Sequence, residues 1–133
     1  MKNKISKLAK YRMLRARETF NDGVKLLEIG SLNSAINRFY YAAFYAARSL
    51  LATKDLDSPK HSGVISLFNK HFVKTGEVNH NKAKLLKKSF EKRQDADFED
   101  IVKVSRKEEE LKDGVFEFPK ECENILENII KGK

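Results

Sequence analysis

Residues 32–52 constrain the fold of this chain more than any other stretch. At about 100° per residue, their apolar side chains cover a continuous arc of about 200°, which is wider than a helix with one neighbour needs. The stretch contains neither Lys nor Glu. The pattern therefore predicts a helix over 32–54 that is covered on nearly every side and capped by Ser31 or Asn33.

The remaining sector of this helix is polar, and we call it the polar stripe. Arg and Tyr are enriched in buried interfaces, and the Arg guanidinium binds phosphate or carboxylate through several donors. The stripe is therefore interpreted as a homodimer interface, as a cleft for RNA or a nucleotide, or as a polar network in which Arg38 pairs with Asp97 or another carboxylate. Its members are Ser34, Asn37, Arg38, Tyr41, Tyr45 and Arg48.

Apolar residues at spacings of three and four predict further helices on both sides. The fold class is therefore all-α, an up-and-down bundle of four to five helices in a single domain over 1–133. The first helix covers about 6–29, includes Asp22-Gly23 and stops at Gly30. Its expected inward residues are Leu8, Tyr11, Leu14, Phe20, Val24 and Leu27.

The second half of the chain predicts three more helices. One helix starts at Ser58-Pro59, with Ser as N-cap and Pro as its first residue, and ends near Gly76. Another covers 81–94, and 95–104 is a loop or a helix lead-in. The last helix follows the Ser-x-x-Glu capping box at 105–108, reaches about residue 130 and is kinked or broken at Pro119.

Charge and composition restrict the kinds of partner and the cellular compartment that we expect for the protein. The net charge is +8, with basic residues concentrated in 1–17 and 60–93 and acidic ones in 95–128. Basic faces attract phosphates or acidic partners, although a solvated lysine-rich surface has the same composition. A single Cys122, the lack of a signal-peptide pattern and the lack of a membrane-length apolar run predict a cytoplasmic protein without a membrane segment.

Three strings together resemble a known family. They are Asn37-Arg38-Phe39-Tyr40-Tyr41-Ala42-Ala43-Phe44-Tyr45-Ala46-Ala47-Arg48, Lys60-His61-Ser62-Gly63-Val64, and Lys92-Arg93-Gln94-Asp95-Ala96-Asp97-Phe98. In combination they resemble the short stand-alone prokaryotic proteins of the HEPN domain family. The resemblance implies a helical bundle that dimerises, with the Arg-bearing helix lining a cleft at the dimer interface. It also implies a partner protein, a minimal nucleotidyltransferase that is encoded by a neighbouring gene and acts as the antitoxin of a toxin–antitoxin pair.

Many members of the family are metal-independent ribonucleases, and their signature is an Arg followed after four to six residues by a His. Here six residues separate Arg38 from Tyr45, so a Tyr stands where the resemblance implies a His. The ordinary pKa of Tyr is about 10, so at neutral pH its hydroxyl is a poor base, whereas His is suited to that role. Arg38 could still stabilise a phosphate oxyanion.

The candidate catalytic residues are Arg38, Tyr45 and His61, the last as a relocated base at the third position of its helix. His61 is equally interpreted as a packing or capping residue. The candidate ligand-binding or interface residues are Asn37, Tyr41, Arg48, Arg93 and Asp97. Arg93 and Asp97 are four residues apart and can pair along one helix face.

We expect no cofactor and no metal, since neither His71 nor His80 has a Cys or carboxylate at ligand spacing. The sequence favours a dimeric module that binds RNA, a nucleotide or a partner protein. The alternative is a metal-independent endoribonuclease toxin that uses Arg38 with a relocated base, and a third hypothesis is a structural dimer.

Overall fold

The structure is a computed structural model, and it describes residues 3–78 and 119–132. The described residues form an all-α bundle, as the apolar periodicity predicts. The helices are α1 (Asn3–Glu28), α2 (Leu32–Thr53), α3 (His61–Phe68) with a π-helical turn at Asn69–Val73, and α4 over 119–131. The predicted helix over 81–94 and the start of the predicted last helix lie outside the described residues. Within the described ranges, no helix is long and apolar enough to cross a membrane.

A tight turn reverses the chain between α1 and α2. Gly30 has a φ of +79°, a conformation that strains residues with a Cβ atom. The N–H groups of Gly30 and Ser31 donate to the carbonyls of Leu27 at 3.1 Å and Leu26 at 2.9 Å, the paired bonds of a Schellman motif. The predicted stop at Gly30 is confirmed. Ser31 occupies the N-cap position of α2, but its side chain makes no capping hydrogen bond.

The antiparallel helices α1 and α2 approach each other closely. The hydroxyl of Ser49, which is fully buried, donates to the carbonyl of Ala9 at 2.6 Å. A Cβ atom on Gly23 would lie 2.6 Å from Cε1 of Phe39, well inside van der Waals contact. Gly23 lies inside α1, as predicted. A glycine fits this position because the ring of Phe39 occupies the space that a side chain would need.

The predicted inward face of α1 is wrong in its first half. Leu8, Tyr11 and Leu14 are 43%, 60% and 45% exposed. Periodicity selects the large apolar residues, whereas the close contact with α2 is built on small ones. The buried residues of α1 are Ala9, Met13, Ala16, Thr19 and Gly23. In the second half the prediction is correct, since Phe20, Val24 and Leu27 pack against Ala35 and Phe39.

The predicted start of the third helix is also wrong. The helix begins at His61, with Lys60 in an extended conformation at the N-cap position. Ser58 does not cap the helix, because its hydroxyl accepts from the N–H of Lys60 at 3.3 Å within the preceding turn. His61 is therefore the first residue of the helix and not the third.

The main core surrounds α2, and the wide apolar arc predicted for this helix is confirmed. Tyr40, Phe44, Leu50 and Leu51 of α2 are at most 5% exposed. They belong to one buried cluster with residues from each of the other described helices. These are Ala9, Met13 and Ala16 of α1, Val64, Ile65 and Phe68 of α3, Phe72 of the π-helical turn, and Cys122 and Leu126 of α4.

Candidate functional site

The polar stripe lies on the outer side of α2. Ser34, Asn37 and Arg38 are exposed, and Tyr41 and Tyr45 are half-buried. The expectation that α2 is covered on nearly every side therefore holds for the apolar arc, whereas the described residues leave the stripe open. Arg38 makes no hydrogen bond or ion pair with the part of the chain that the structure describes. Its predicted alternative partner, Asp97, lies outside the described residues.

The structure brings His61 onto the stripe. Its ring centroid lies 4.3 Å from that of Phe44 and 6.1 Å from that of Tyr41, the latter in an edge-on arrangement. Its Nδ1 atom is 3.1 Å from the hydroxyl of Tyr40. Tyr41 is about one helical turn from Arg38, so His61 lies at the edge of the stripe, against the tyrosine that neighbours Arg38 along α2.

The turn before α3 fixes where His61 stands. The Ser58 side chain fills the position that a Cβ atom on Gly63 would occupy. Asp57 in turn accepts a hydrogen bond from the N–H of Ser58 at 2.8 Å. Gly63, two residues after His61, therefore permits the turn to lie against the first turn of α3.

Arg15 of α1 extends the site, although the sequence did not single it out. Its guanidinium carbon lies 5.5 Å from the centroid of the Tyr45 ring, in cation–π range. The neighbouring Tyr45 side chain raises the pKa of Arg15 above its ordinary value. The Tyr45 ring is also 6.4 Å from that of Tyr41. The one available signal was the excess of basic residues before residue 18.

Arg48 has a different environment from Arg38. It donates to both carboxylate oxygens of Asp57, at 2.9 to 3.3 Å. Arg12 of α1 reaches the same carboxylate at 3.1 Å and the carbonyl of Arg48 at 3.2 Å. One interpretation of the polar stripe is an internal network of ion pairs. That interpretation describes Arg48, whose partner is Asp57.

The electrostatics of this network follow from its geometry. Burial alone would raise the pKa of Asp57, but the hydrogen bonds from Arg48 and Ser58 and the charges of Arg48 and Arg12 outweigh it. The net result is that the pKa of Asp57 lies below its ordinary value. Arg48 thus ties the C-terminal half of α2 to the loop before α3.

The described part of the site combines cations with aromatic faces. Arg38 and Arg15 supply guanidinium donors, Tyr41 and Tyr45 supply phenol rings, and His61 supplies an imidazole. Such a set can bind phosphate oxygens and stack on planar rings. Within the described ranges, no three His, Cys, Asp or Glu residues come close enough to hold a metal ion. Arg93 and Asp97 lie outside those ranges.

Comparison with known protein families identifies the family of this chain. The model of the HEPN domain matches residues 9–131. This chain belongs to the HEPN domain family. The identification made from the three strings is thereby confirmed.

Three relatives illustrate the range of similarity to this HEPN protein. A UPF0332 protein of Thermotoga maritima is 40% identical over 129 residues, which cover 97% of this chain and 93% of that protein. "Putative toxin MJ0142" of Methanocaldococcus jannaschii is 33% identical over 102 residues, which cover 74% and 69%. "UPF0332 protein PH1297" of Pyrococcus horikoshii is 45% identical over 69 residues, which cover 52% and 49%.

Proposed function

We propose that this HEPN protein is a binding module whose polar stripe takes RNA or a nucleotide. One observation carries the proposal: the exposed Arg38 has no ion-pair partner among the described residues and shares a helix face with Tyr41 and Tyr45. An arginine held by a carboxylate, as Arg48 is, has its donors occupied. Arg38 is therefore the stripe cation best placed to receive a phosphate.

The surroundings of Arg38 suit a nucleic-acid ligand. A guanidinium binds phosphate oxygens through charge-assisted hydrogen bonds. Tyrosine rings stack on nucleobases, and each stacked base contributes about 1–3 kcal/mol. The stripe itself contains no Asp or Glu that would repel a phosphate. Binding without cleavage fits the chain best, because position 45 carries a Tyr where the ribonuclease signature has a His.

A second candidate function is metal-independent RNA cleavage. The observation that favours it is the position of His61, which packs on Tyr41, the stripe residue about one helical turn from Arg38. In this scheme, His61 would accept the proton of a ribose 2′-hydroxyl, and Arg38 would stabilise the phosphate oxyanion.

The proposal includes the assembly in which the protein acts. Two relatives, MJ0142 and MJ0605 of Methanocaldococcus jannaschii, have names that contain the word toxin. The names support a toxin-like role, and we further propose that this chain acts in the cytoplasm as a homodimer that pairs with a minimal nucleotidyltransferase as its antitoxin. The half-buried tyrosines of the stripe are suited to a dimer interface that borders the ligand.

Fluorescence anisotropy with a labelled single-stranded RNA, and with labelled ATP in parallel, tests the binding function. Arg38→Ala should weaken binding about tenfold, since hydrogen bonds to charged groups contribute about 1.5–3 kcal/mol. The matched control is Lys25→Ala, which removes one exposed positive charge from α1 away from the stripe. Equal effects of the two substitutions would contradict a specific role of Arg38.

A cleavage assay separates the two candidate functions. The purified protein is incubated with mixed RNA in EDTA, and the products are resolved on a denaturing gel. We expect intact RNA with the wild-type chain. Cleavage that disappears in both Arg38→Ala and His61→Ala would instead establish the ribonuclease and replace the proposal of binding alone.

A further inference from the structure

The outward side of α1 carries three large apolar side chains that nothing in the described structure covers. At about 100° per residue, they share an arc of about 160° with three lysines, opposite the residues that α1 buries. We call this surface the α1 outer face. It consists of Lys4, Lys7, Leu8, Lys10, Tyr11 and Leu14, all of them exposed.

The apolar part of this face is unusual within the described residues. Leu8, Tyr11 and Leu14 recur every third position and are 43% to 60% exposed, and outside this face Ile29 is the one other described large hydrophobic residue with comparable exposure. Scattered exposed apolar residues are ordinary, but a row along one helix marks an interaction surface.

The charges of the face are unfavourable for the isolated helix. Lys4, Lys7 and Lys10 are spaced by three residues, so neighbouring lysines repel each other along the helix. They also lie near the N-terminus of α1, where the helix dipole disfavours cations, and the first turn contains no acidic residue. Negative charges supplied by another molecule would relieve both repulsions.

We propose that the α1 outer face binds a second protein through an acidic amphipathic helix. Apolar residues of that helix would cover Leu8, Tyr11 and Leu14, and its carboxylates would lie against the lysines. A groove of about 280 Å³ opens beside Leu8. Ile5, Ala52 and Leu56 contribute apolar atoms to its wall, and the charged residues Lys4, Arg12, Asp55 and Asp57 also line it. It offers a site for one anchoring side chain of the partner.

Two other occupants fit the face less well. A second copy of the chain docked through the same face would place its lysines against these lysines, because a two-fold contact pairs identical surfaces. RNA would use the lysines but would leave Leu8 and Leu14 without a role. The combination of one apolar row with three lysines is complementary to an acidic amphipathic protein segment.

This surface is separate from the polar stripe, so its function is tested independently of RNA binding. The probe is a fluorescein-labelled synthetic 18-residue helical peptide with Leu on one face and Glu on the other. A peptide of the same composition in scrambled order controls for charge alone. The full-length chain should bind the amphipathic peptide at least tenfold more tightly than the scrambled one.

Matched variants locate the binding. Leu8→Ser with Leu14→Ser should weaken binding of the amphipathic peptide at least tenfold, whereas Ile29→Ser, at 78% exposure, should change it less than twofold. Lys7→Gln with Lys10→Gln should weaken it several-fold at low salt and less at high salt, with Lys25→Gln as the control. None of these variants should alter the affinity for RNA as Arg38→Ala does.

Several results would overturn the proposal. Equal binding of both peptides, or no binding at millimolar concentration, would remove the acidic helix as occupant. A larger fall in melting temperature for the Leu8 and Leu14 variant than for Lys7→Ser with Lys10→Ser, which carries a similar helix-propensity cost, would show that the chain itself covers this face. A dimer in sedimentation that this variant abolishes would assign the face to a second copy. A loss of RNA affinity in the lysine variant would assign it to RNA.

Discussion

The hydroxyl of Tyr40 lies 3.1 Å from Nδ1 of His61 and joins the middle of α2 to the first residue of α3. Tyr40 is only 2% exposed, so its ring is fixed by the core and its hydroxyl is a rigid reference point. The imidazole is held between this hydroxyl and the ring of Phe44. The core of the bundle thereby sets the orientation of His61 on the polar stripe.

Tyr40→Phe tests this link between core and site. The substitution keeps the buried ring and removes the hydroxyl, so the free energy of unfolding should fall by about 1 kcal/mol. RNA affinity should fall in parallel if the orientation of His61 contributes to binding, and His61→Ala should then reproduce that loss. Denaturant unfolding and anisotropy measure the two effects. Unchanged stability would show that the 3.1 Å contact is not a hydrogen bond that matters in solution.

Gly23→Ala tests the close approach of α1 and α2. Helix propensity alone would favour Ala by about 1 kcal/mol. Overpacking against the buried Phe39 ring should cost about 1–3 kcal/mol, so the net change should be destabilising. The control is Gly23→Ala in a Phe39→Leu background, where the added methyl group should be tolerated better. A stabilised Gly23→Ala protein would mean that the ring moves away freely.

The sequence allowed α2 to be predicted well and half of α1 badly, for one physical reason. Residues 32–52 carry an apolar arc of about 200° that includes both large and small residues, so hydrophobicity alone identifies the inward side. In the first half of α1, the buried side consists of small residues such as Ala9 and Ala16, while Leu8 and Tyr11 stay exposed. Hydrophobicity ranks residues by size, but close helix packing selects the small ones.

The candidate site was predictable where residues share one helix. Arg38, Tyr41 and Tyr45 lie on one side of α2 because helix geometry fixes their spacing. Contacts between separate segments were not accessible in this way. Asp57 lies in a loop, and only the folded chain shows that it binds Arg48.

The ion pairs of Asp57 give a prediction for pH. In the folded state the pKa of Asp57 lies below its ordinary value. The Asp57 carboxylate therefore stabilises the fold above about pH 3.9, and this contribution is lost as the pH falls through the pKa of Asp57 in the folded state. Because the Asp57 side chain is 47% exposed, its contribution is about 1 kcal/mol at most. Urea unfolding at pH 7 and pH 3 measures it.

Asp57→Asn is the matched variant for this prediction. It should lower stability at pH 7, where Arg12 and Arg48 lose their carboxylate, and should narrow the gap between pH 7 and pH 3. The Lys54 hydrogen bond lowers the pKa of Glu77 as well, so a residual pH dependence should persist in the variant. Identical pH profiles of the wild-type chain and the variant would contradict the role assigned to Asp57.

The substitution Tyr45→His tests whether a general base is the only group that the stripe lacks for RNA cleavage. Arg38 and position 45 lie on one face of α2, two helical turns apart, with the six intervening residues that the ribonuclease signature allows. Imidazole is smaller than phenol, so the half-buried position should accept it without overpacking. The positive charge of Arg15, now over the Tyr45 ring, should lower the pKa of the new imidazole and keep it neutral at pH 7.

We expect Tyr45→His to cleave RNA in EDTA at least about a hundredfold faster than the wild-type chain, the lower range for a positioned general base. The rate should rise as pH passes the ordinary His pKa of about 6.5 or somewhat below, and Arg38→Ala in the same background should abolish it. Tyr45→Phe, which keeps the ring without a base, should stay inactive. If Tyr45→His binds RNA normally but does not cleave it, the geometry of the stripe supports binding alone, and the missing base is not what separates this chain from a ribonuclease.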